Sequence, residues 1–267
     1  MKKILLPLIL MLIILTGCGG EDTSENIHST KYGRILVVGV DDEFPPICFH
    51  NAQGELVGFD VDLAREAARR MGVEFEFRPI DWDNKRDEIL SGNVDIIWNG
   101  CDIIDEYKEY MIFSRAYMDN RQILLVNAGN PNAIRTAGDL AGKFVGTQAG
   151  SNSEGYVNDT PNFKDSFAEF KTYRNVKEGF TLLQNGELDA LIIDEIAARY
   201  EISRNPGQFE IVEATIGPVT QFGIGFRKDN VELRDKVQKA FDSMVADGTA
   251  GKISEQWFQS DLIKRRR

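Results

Sequence analysis

Gly58-Phe59-Asp60-Val61-Asp62-Leu63-Ala64-Arg65-Glu66-Ala67-Ala68-Arg69-Arg70-Met71 reads as the passage of a chain from an extended segment into a helix. Gly58 permits a turn that a side chain would obstruct. Asp60 is placed to cap the helix, and Asp62 falls in its positively polarised first turn. Leu63, Ala67 and Met71 share one face at helical spacing, so the helix must lay that face on an apolar surface. A surface of the right kind lies upstream, where residues 35 to 40 read Ile-Leu-Val-Val-Gly-Val and predict a short buried strand.

Downstream the same alternation continues. Residues 74–77 predict a strand, 84–90 a helix and 94–98 a buried strand. Strand alternating with amphipathic helix indicates a mostly parallel sheet covered by helices. Residues 123–126 are apolar and extended, and 127–131 (Asn-Ala-Gly-Asn-Pro) punctuate them. A second series then begins at Lys143-Phe144-Val145-Gly146, with a helix over 176–184, a strand over 190–193 and a helix over 195–204. Residues 221–226 are again extended, after Gly217-Pro218, and two helices over about 231–246 and 250–258 close the chain. Two series separated by two extended stretches predict two lobes. No internal repeat or low-complexity segment is present.

The amino terminus reads as an export signal. Met1-Lys2-Lys3 is basic, residues 4–15 are apolar apart from Pro7, and Leu15-Thr16-Gly17-Cys18 follows. The run is too short for a comfortable membrane span. Leu15 to Cys18 resembles a lipobox, in which cleavage leaves Cys18 lipidated; an ordinary secretory signal with an incidental cysteine is the alternative. Residues 19–30 are small, polar and acidic, which predicts a flexible tether. Removing residues 1–17 takes away two lysines and moves the formal charge from −11 to −13. Such acidity argues against nucleic acid as a partner, because phosphates demand clustered Lys and Arg. The basic run Lys264-Arg265-Arg266-Arg267 reads as a solvated tail, with contact to an anionic membrane surface as the alternative. About 235 residues remain for the body, enough for two lobes.

The Gly58–Met71 stretch resembles the signature of the family 3 bacterial solute-binding proteins, the external receptors of polar amino-acid importers. Residues 51–58 (Asn-Ala-Gln-Gly-Glu-Leu-Val-Gly) are similar to the histidine- and lysine-type members. Asp81-Trp82-Asp83 and Ile97-Trp98-Asn99-Gly100 resemble a Trp-Asn-Gly subgroup, and Ala246-Asp247-Gly248-Thr249 resembles the family's late helix turn. The resemblance covers nearly everything after residue 32. It implies an α/β, two-lobed, periplasmic-binding-protein-like (type II) fold with two mostly parallel sheets joined by a two-strand hinge. Lobe 1 would be residues 32–123 plus 224–267 and lobe 2 residues 124–223, preceded by a signal peptide over 1–17 and a tether over 18–31. It further implies a monomeric lipoprotein at the cell surface or in the periplasm. This protein would capture an amino acid or related amine for an ABC permease and its ATPase, without a cofactor or metal. A receptor that signals to a membrane sensor is the other binding role the resemblance allows.

The resemblance also implies a site. Asp41 and Phe44 follow the first strand, where the family places an acid and an aromatic, and Trp82 matches a second stacking position. Asn99, Gly100 and Asp102 fall on the loop after the 94–98 strand. Residues 148–153 match the anion-binding turn, with Ser151 and Asn152 as contacts, and Asp194 matches the ammonium-binding acid. Phe44 and Trp82 could instead be core aromatics, Asp102 and Asp194 helix caps, and Asn152 an N-cap. Two positions depart from the family pattern. Asp102 stands where Thr or Ser is usual, and Tyr107 stands where the family has the Arg that clamps the ligand carboxylate bidentately. Two unit charges about 4 Å apart interact by roughly 4 kcal/mol at an effective dielectric near 20. An added acid and a lost Arg therefore both favour a cationic amine, or an amino acid whose carboxylate is held by another group, with Arg86, Arg115 and Arg121 as candidates. Phe44, Trp82 and Tyr107 would add cation–π attraction. Cys48 and Cys101 lie on loops that converge in the family fold, which implies a disulfide between them; two buried thiols are the alternative.

Signals for enzymatic chemistry are weak. The two histidines, His28 and His50, suggest neither a metal site nor a triad. Residues 138–143 resemble a phosphate loop only superficially, being one residue short and followed by Phe144. A few proteins resembling this family are dehydratases with a buried carboxylic acid, a role Asp102 or Asp194 could fill if mutual repulsion kept one of them protonated.

Overall fold

The computed structural model describes residues 29–30 and 33–265. The proposed signal peptide, the lipobox with Cys18 and most of the tether lie outside the described residues. The first half of the chain runs β1 (Ser29–Thr30), β2 (Gly33–Val40), β3 (Glu43–Phe44), β4 (Cys48–His50), β5 (Leu56–Val57), α1 (Phe59–Met71), β6 (Glu74–Pro79), α2 (Lys85–Ser91), β7 (Ile96–Asp102), α3 (Asp105–Lys108), β8 (Met111–Phe113) and β9 (Met118–Asn127). There follow β10 (Phe144–Gln148), α4 (Asn152–Asn158), α5 (Pro161–Lys164), β11 (Glu169–Tyr173), α6 (Val176–Gln184), β12 (Ala190–Asp194), α7 (Glu195–Arg204), β13 (Phe209–Arg227), α8 (Val231–Ala246) and α9 (Thr249–Phe258). Ser29–Thr30, expected in the tether, pair antiparallel with Gly33 and Arg34.

Two parallel blocks carry the alternation seen in the sequence. In one, β2 lies between β6 and β7; in the other, β10 lies between β11 and β12. Each block is joined antiparallel to one of two long strands, β7 to β13 and β12 to β9. Because β9 and β13 also pair with each other, hydrogen bonds connect the two blocks into one mixed ten-stranded sheet rather than two separate ones. The β9–β13 register shifts between Val212 and Thr215 and again between Ile216 and Thr220, where the chain passes from one block to the other. Bulges of this kind bend and twist a strand pair.

Helix α1 shows why the opening stretch folds as it does. Gly58 has φ 145°, and a Cβ there would lie 2.2 Å from the Ile47 carbonyl oxygen. Only glycine fits. The face made by Phe59, Val61, Leu63, Ala64, Ala67 and Ala68 is buried, and Gly72 in the left-handed conformation ends the helix. Asp62 is in the first turn, where it accepts the Trp257 indole N–H at 2.8 Å. Asp60 is not a cap. Gly58 holds that position without a side-chain bond, and Asp60 is buried beneath the sheet, accepting from Gly100 N and the Tyr117 hydroxyl, each at 2.7 Å.

The largest apolar cluster runs under both blocks, joining Val38, Leu63 and Phe222 to Phe180 and Ile193. A second packs Val145, Ile192 and Val212, and a third packs Trp82, Ile97, Cys101 and Tyr107. The expected Cys48–Cys101 disulfide is corrected here: both are buried free thiols. Cys48 packs in the first cluster and Cys101 in the third. Burial raises both thiols well above the ordinary range, so each behaves as a small apolar group. Among the described residues, no helix is long and apolar enough to cross a membrane.

Candidate functional site

Where β2, β7, β10 and β12 end, a small cavity is lined by Asp41, Phe44, Trp82, Asn99, Gly100, Asp102, Tyr107, Gln148, Ser151, Asn152 and Asp194. The structure thus brings together all ten residues singled out in the sequence and adds Gln148. None of the lining residues is Lys, Arg or His, and three are carboxylic acids.

Each side chain owes its position to the element that carries it. Asn99, Gly100 and Asp102 are not on a loop. They are the buried end of β7, held by antiparallel pairing to β13 at Asp102–Phe222 and Cys101–Gly223. Gly100 has φ 59°, and its Cα faces Phe44, which a Cβ would approach to 3.0 Å. Phe44 and Trp82 are 5% and 8% exposed, so each is at once a core aromatic and a wall of the cavity. Asp194 stands at the start of α7 but forms no side-chain cap bond. Its Oδ1 accepts from Asn120 and Gln122, each at 2.5 Å, and Gln122 Oε1 accepts from the Ser153 hydroxyl. Asp102 Oδ1 accepts from Thr220 Oγ1 at 2.5 Å and from Asn120 Nδ2 at 3.1 Å. One amide nitrogen therefore bridges the two carboxyls, and neither caps a helix through its side chain: Asp194 holds the N-cap position of α7 without a cap bond, and Ile104 holds that of α3. At α4 the N-cap is Ser151, whose Oγ accepts from Glu154 N, and Asn152 is the first helical residue.

The cavity is electrostatically unbalanced. Burial, opposed by bonds from Glu43 N and Gln148, raises the Asp41 carboxyl to about 6. Burial also raises Asp102 and Asp194, and repulsion from Asp194 adds to the rise at Asp102. Asn99 is 1% exposed, and its Oδ1 has no hydrogen-bond partner. A buried acceptor left unpaired is costly, and a donor brought in by a ligand would satisfy it.

The cation missing from the lining lies just behind it. Lys85 is buried, its Nζ 4.5 Å from the Tyr107 ring centre and 5.2 Å from that of Trp82, and it donates to the carbonyls of Gly150 and Trp82. Burial lowers its pKa. The three arginines considered as replacement clamps are engaged elsewhere: Arg115 with Asp242, Arg121 with Glu195 and Glu213, and Arg86 over the Tyr110 ring. Lys85, Asn120, Gln122 and Thr220 escape a sequence reading because their roles depend on partners far away in the chain.

Comparisons with known proteins give the arrangement its context. The sequence profile of the bacterial extracellular solute-binding proteins, family 3, matches residues 36–260. The chain is 31% identical over 238 residues to the L-cystine-binding protein TcyJ of Escherichia coli strain K12, covering 89% of this chain and 88% of that one. It superposes with a TM-score of 0.82 on an ABC uptake transporter substrate-binding protein from Streptococcus pneumoniae with bound histidine, at 33% identity, covering 86% of this chain and 95% of the other. An ancestral arginine-binding protein bound to arginine gives a TM-score of 0.78 at 38% identity, over 84% and 98% of the two chains. These relatives are binding proteins and lend nothing to a dehydratase reading. With this match over residues 36–260 and a type II periplasmic-binding-protein fold, the chain belongs to the bacterial extracellular solute-binding proteins, family 3, and its function is substrate binding.

Proposed function

We propose that the chain captures an amino acid or related small amine between lobe 1, residues 32–123 plus 224–267, and lobe 2, residues 124–223, and presents it to an ABC permease and its ATPase. The observation that carries this reading is the cavity itself. Three buried carboxyls, three aromatic walls and an unpaired Asn99 Oδ1 meet there, a set that suits an ammonium group through charge, cation–π attraction and hydrogen bonding. Lobe 1 would hold the ligand between Phe44 and Trp82, and lobe 2 would then bring Asp194 and the 148–153 turn onto it. The ligand shifts an open–closed equilibrium by binding the closed form better.

A thermal-shift screen of leaderless protein against amino acids, polyamines and quaternary amines, followed by calorimetry, tests the assignment. Asp194→Ala is expected to weaken binding of any hit at least a hundredfold. Lys264→Ala is expected to leave it unchanged, because Lys264 pairs with Asp119 away from the cavity. Equal affinities for the two variants would refute the site. We also infer that Cys18 carries a lipid on a monomeric, extracytoplasmic protein. Cys18→Ser should therefore move the protein from the membrane fraction to the soluble one.

A further inference from the structure

Gly150, at the tip of the turn between β10 and α4, has every polar backbone atom engaged by the protein itself. Its carbonyl accepts from Lys85 Nζ at 2.6 Å and from the Tyr107 hydroxyl at 2.8 Å, both reaching across the cavity from the β7 block. Its N–H donates to the Glu154 carboxylate at 2.7 Å. The donors on either side of Gly150 are taken as well. Ala149 N bonds Tyr173 O at 2.8 Å, and Ser151 N bonds Gln148 O at 3.2 Å. At its tip, the turn expected to receive a ligand's anion already holds one, the Glu154 carboxylate on Gly150 N. The position expected to supply a carboxylate clamp holds Tyr107, whose hydroxyl bonds the opposite backbone instead.

Resting on the reading of this cavity as the ligand site, we propose that the receptor closes on a cationic amine without a carboxylate, with Glu154 filling the anion seat and a Tyr107–Lys85–Gly150 latch supplying the closing contact. Three further observations agree. The lining has three acids and no base, so no lining side chain would pair with a ligand carboxylate. Lys85, the nearest buried cation, points its ammonium at two carbonyls rather than into the cavity. The turn packs so closely on the opposite wall that a Cβ on Gly150 would stand 2.5 Å from Asp83 Cα, so backbone meets backbone at Gly150 with nothing between them. In this arrangement the Tyr107 hydroxyl and Lys85 determine specificity through the closing contact, while the Tyr107 ring remains part of the cavity wall. They hold the lobes together where a ligand carboxylate would otherwise do so.

The test uses matched pairs that differ by one carboxylate: arginine and agmatine, lysine and cadaverine, ornithine and putrescine, histidine and histamine, each titrated calorimetrically into the leaderless chain. The amine of at least one pair is expected to bind ten or more times as tightly as its amino acid. In a Tyr107→Arg, Glu154→Gln double variant that ratio should fall toward one. An amino acid that binds as well as its amine overturns the proposal but leaves the cavity standing as the site, provided Asp194→Ala abolishes the binding. Silence from every pair removes the amine assignment together with the cavity reading. The latch has its own readout, X-ray scattering of ligand-free protein. Tyr107→Phe, Lys85→Met protein should have a larger radius of gyration than wild type, and identical profiles would overturn the latch.

Discussion

Asp41, Asp60, Asp102 and Asp194 are carboxyls that burial makes reluctant to ionise, with Asp41 raised to about 6 and Asp60 to about 7. Each binds its proton more tightly in the folded chain than in the unfolded one. Their contribution to stability is therefore complete below the ordinary carboxylate range near 4 and is lost as pH rises through the folded values. Glu66 and Glu195 act in the opposite sense. Arg69 and Arg121 respectively hold them near 2, so their contribution is present above about 4.5 and is lost on acidification. Both belong to half-buried ion pairs still reached by solvent, whose screening keeps that contribution small. Ligand-free protein should thus melt highest near about pH 5 and several degrees lower at about pH 8. Asp60→Asn, which retains an acceptor for Gly100 N, should reduce the slope. Affinity for a cationic ligand should run the other way and strengthen from pH 5 to pH 8, as the acids it meets become charged. A melting temperature that does not change with pH would mean that these carboxyls ionise freely in the folded protein.

At the scale of elements, the 148–153 turn and β7 show what glycine and pairing accomplish. Gly150 sits at φ 68° against the backbone of Trp82 and Asp83. Alanine there adds about 1–2 kcal/mol of left-handed strain. Its Cβ cannot be accommodated while the turn rests on Asp83, whereas in an opened cleft it would meet only solvent. Gly150→Ala should therefore lower ligand affinity at least tenfold with only a modest loss of melting temperature, measured by calorimetry and circular dichroism. A proportionate loss of both would make the glycine a folding requirement only. These two elements also mark the limits of the sequence. Helix α1 is legible because apolar periodicity and an obligatory glycine are local signals. The end of β7 is not, because Asn99-Gly100-Cys101-Asp102 has the composition of a turn and becomes strand only through pairing with Phe222 and Gly223, more than a hundred residues away. Asp60 misleads for the same reason: an acid at a helix start suggests a cap, and only the tertiary fold reveals Gly100 and Tyr117 as its partners. The ten cavity residues were reached through family resemblance, whereas Glu154 and Lys85 needed coordinates.

Over the whole molecule, the long strands β9 and β13 tie the two parallel blocks into one sheet, so an opening motion must bend these strands and break the bonds across the cavity. Those bonds differ in kind. Arg174 and Asp81 form a 2.5 Å ion pair with side chains 73% and 43% exposed. A surface pair contributes about 0–1 kcal/mol and is screened by salt. Gln148 donates at 2.6 Å to Asp41, and both side chains are buried. Removing that donor leaves a buried carboxyl short of a partner in the closed form only, because in an open cleft water would serve it. A hydrogen bond to a charged group is worth about 1.5–3 kcal/mol, so the closed form should lose roughly ten- to a hundredfold in population and apparent affinity should fall by the same factor. Gln148→Leu is therefore expected to raise the Kd of the ligand about ten- to a hundredfold while barely changing the ligand-free melting temperature. Arg174→Ala should raise it less than about fivefold, an effect that disappears in high salt. If Arg174→Ala proved the more damaging of the two, closure would be governed at the rim of the cleft, and the buried Asp41–Gln148 contact would not be what the ligand draws shut.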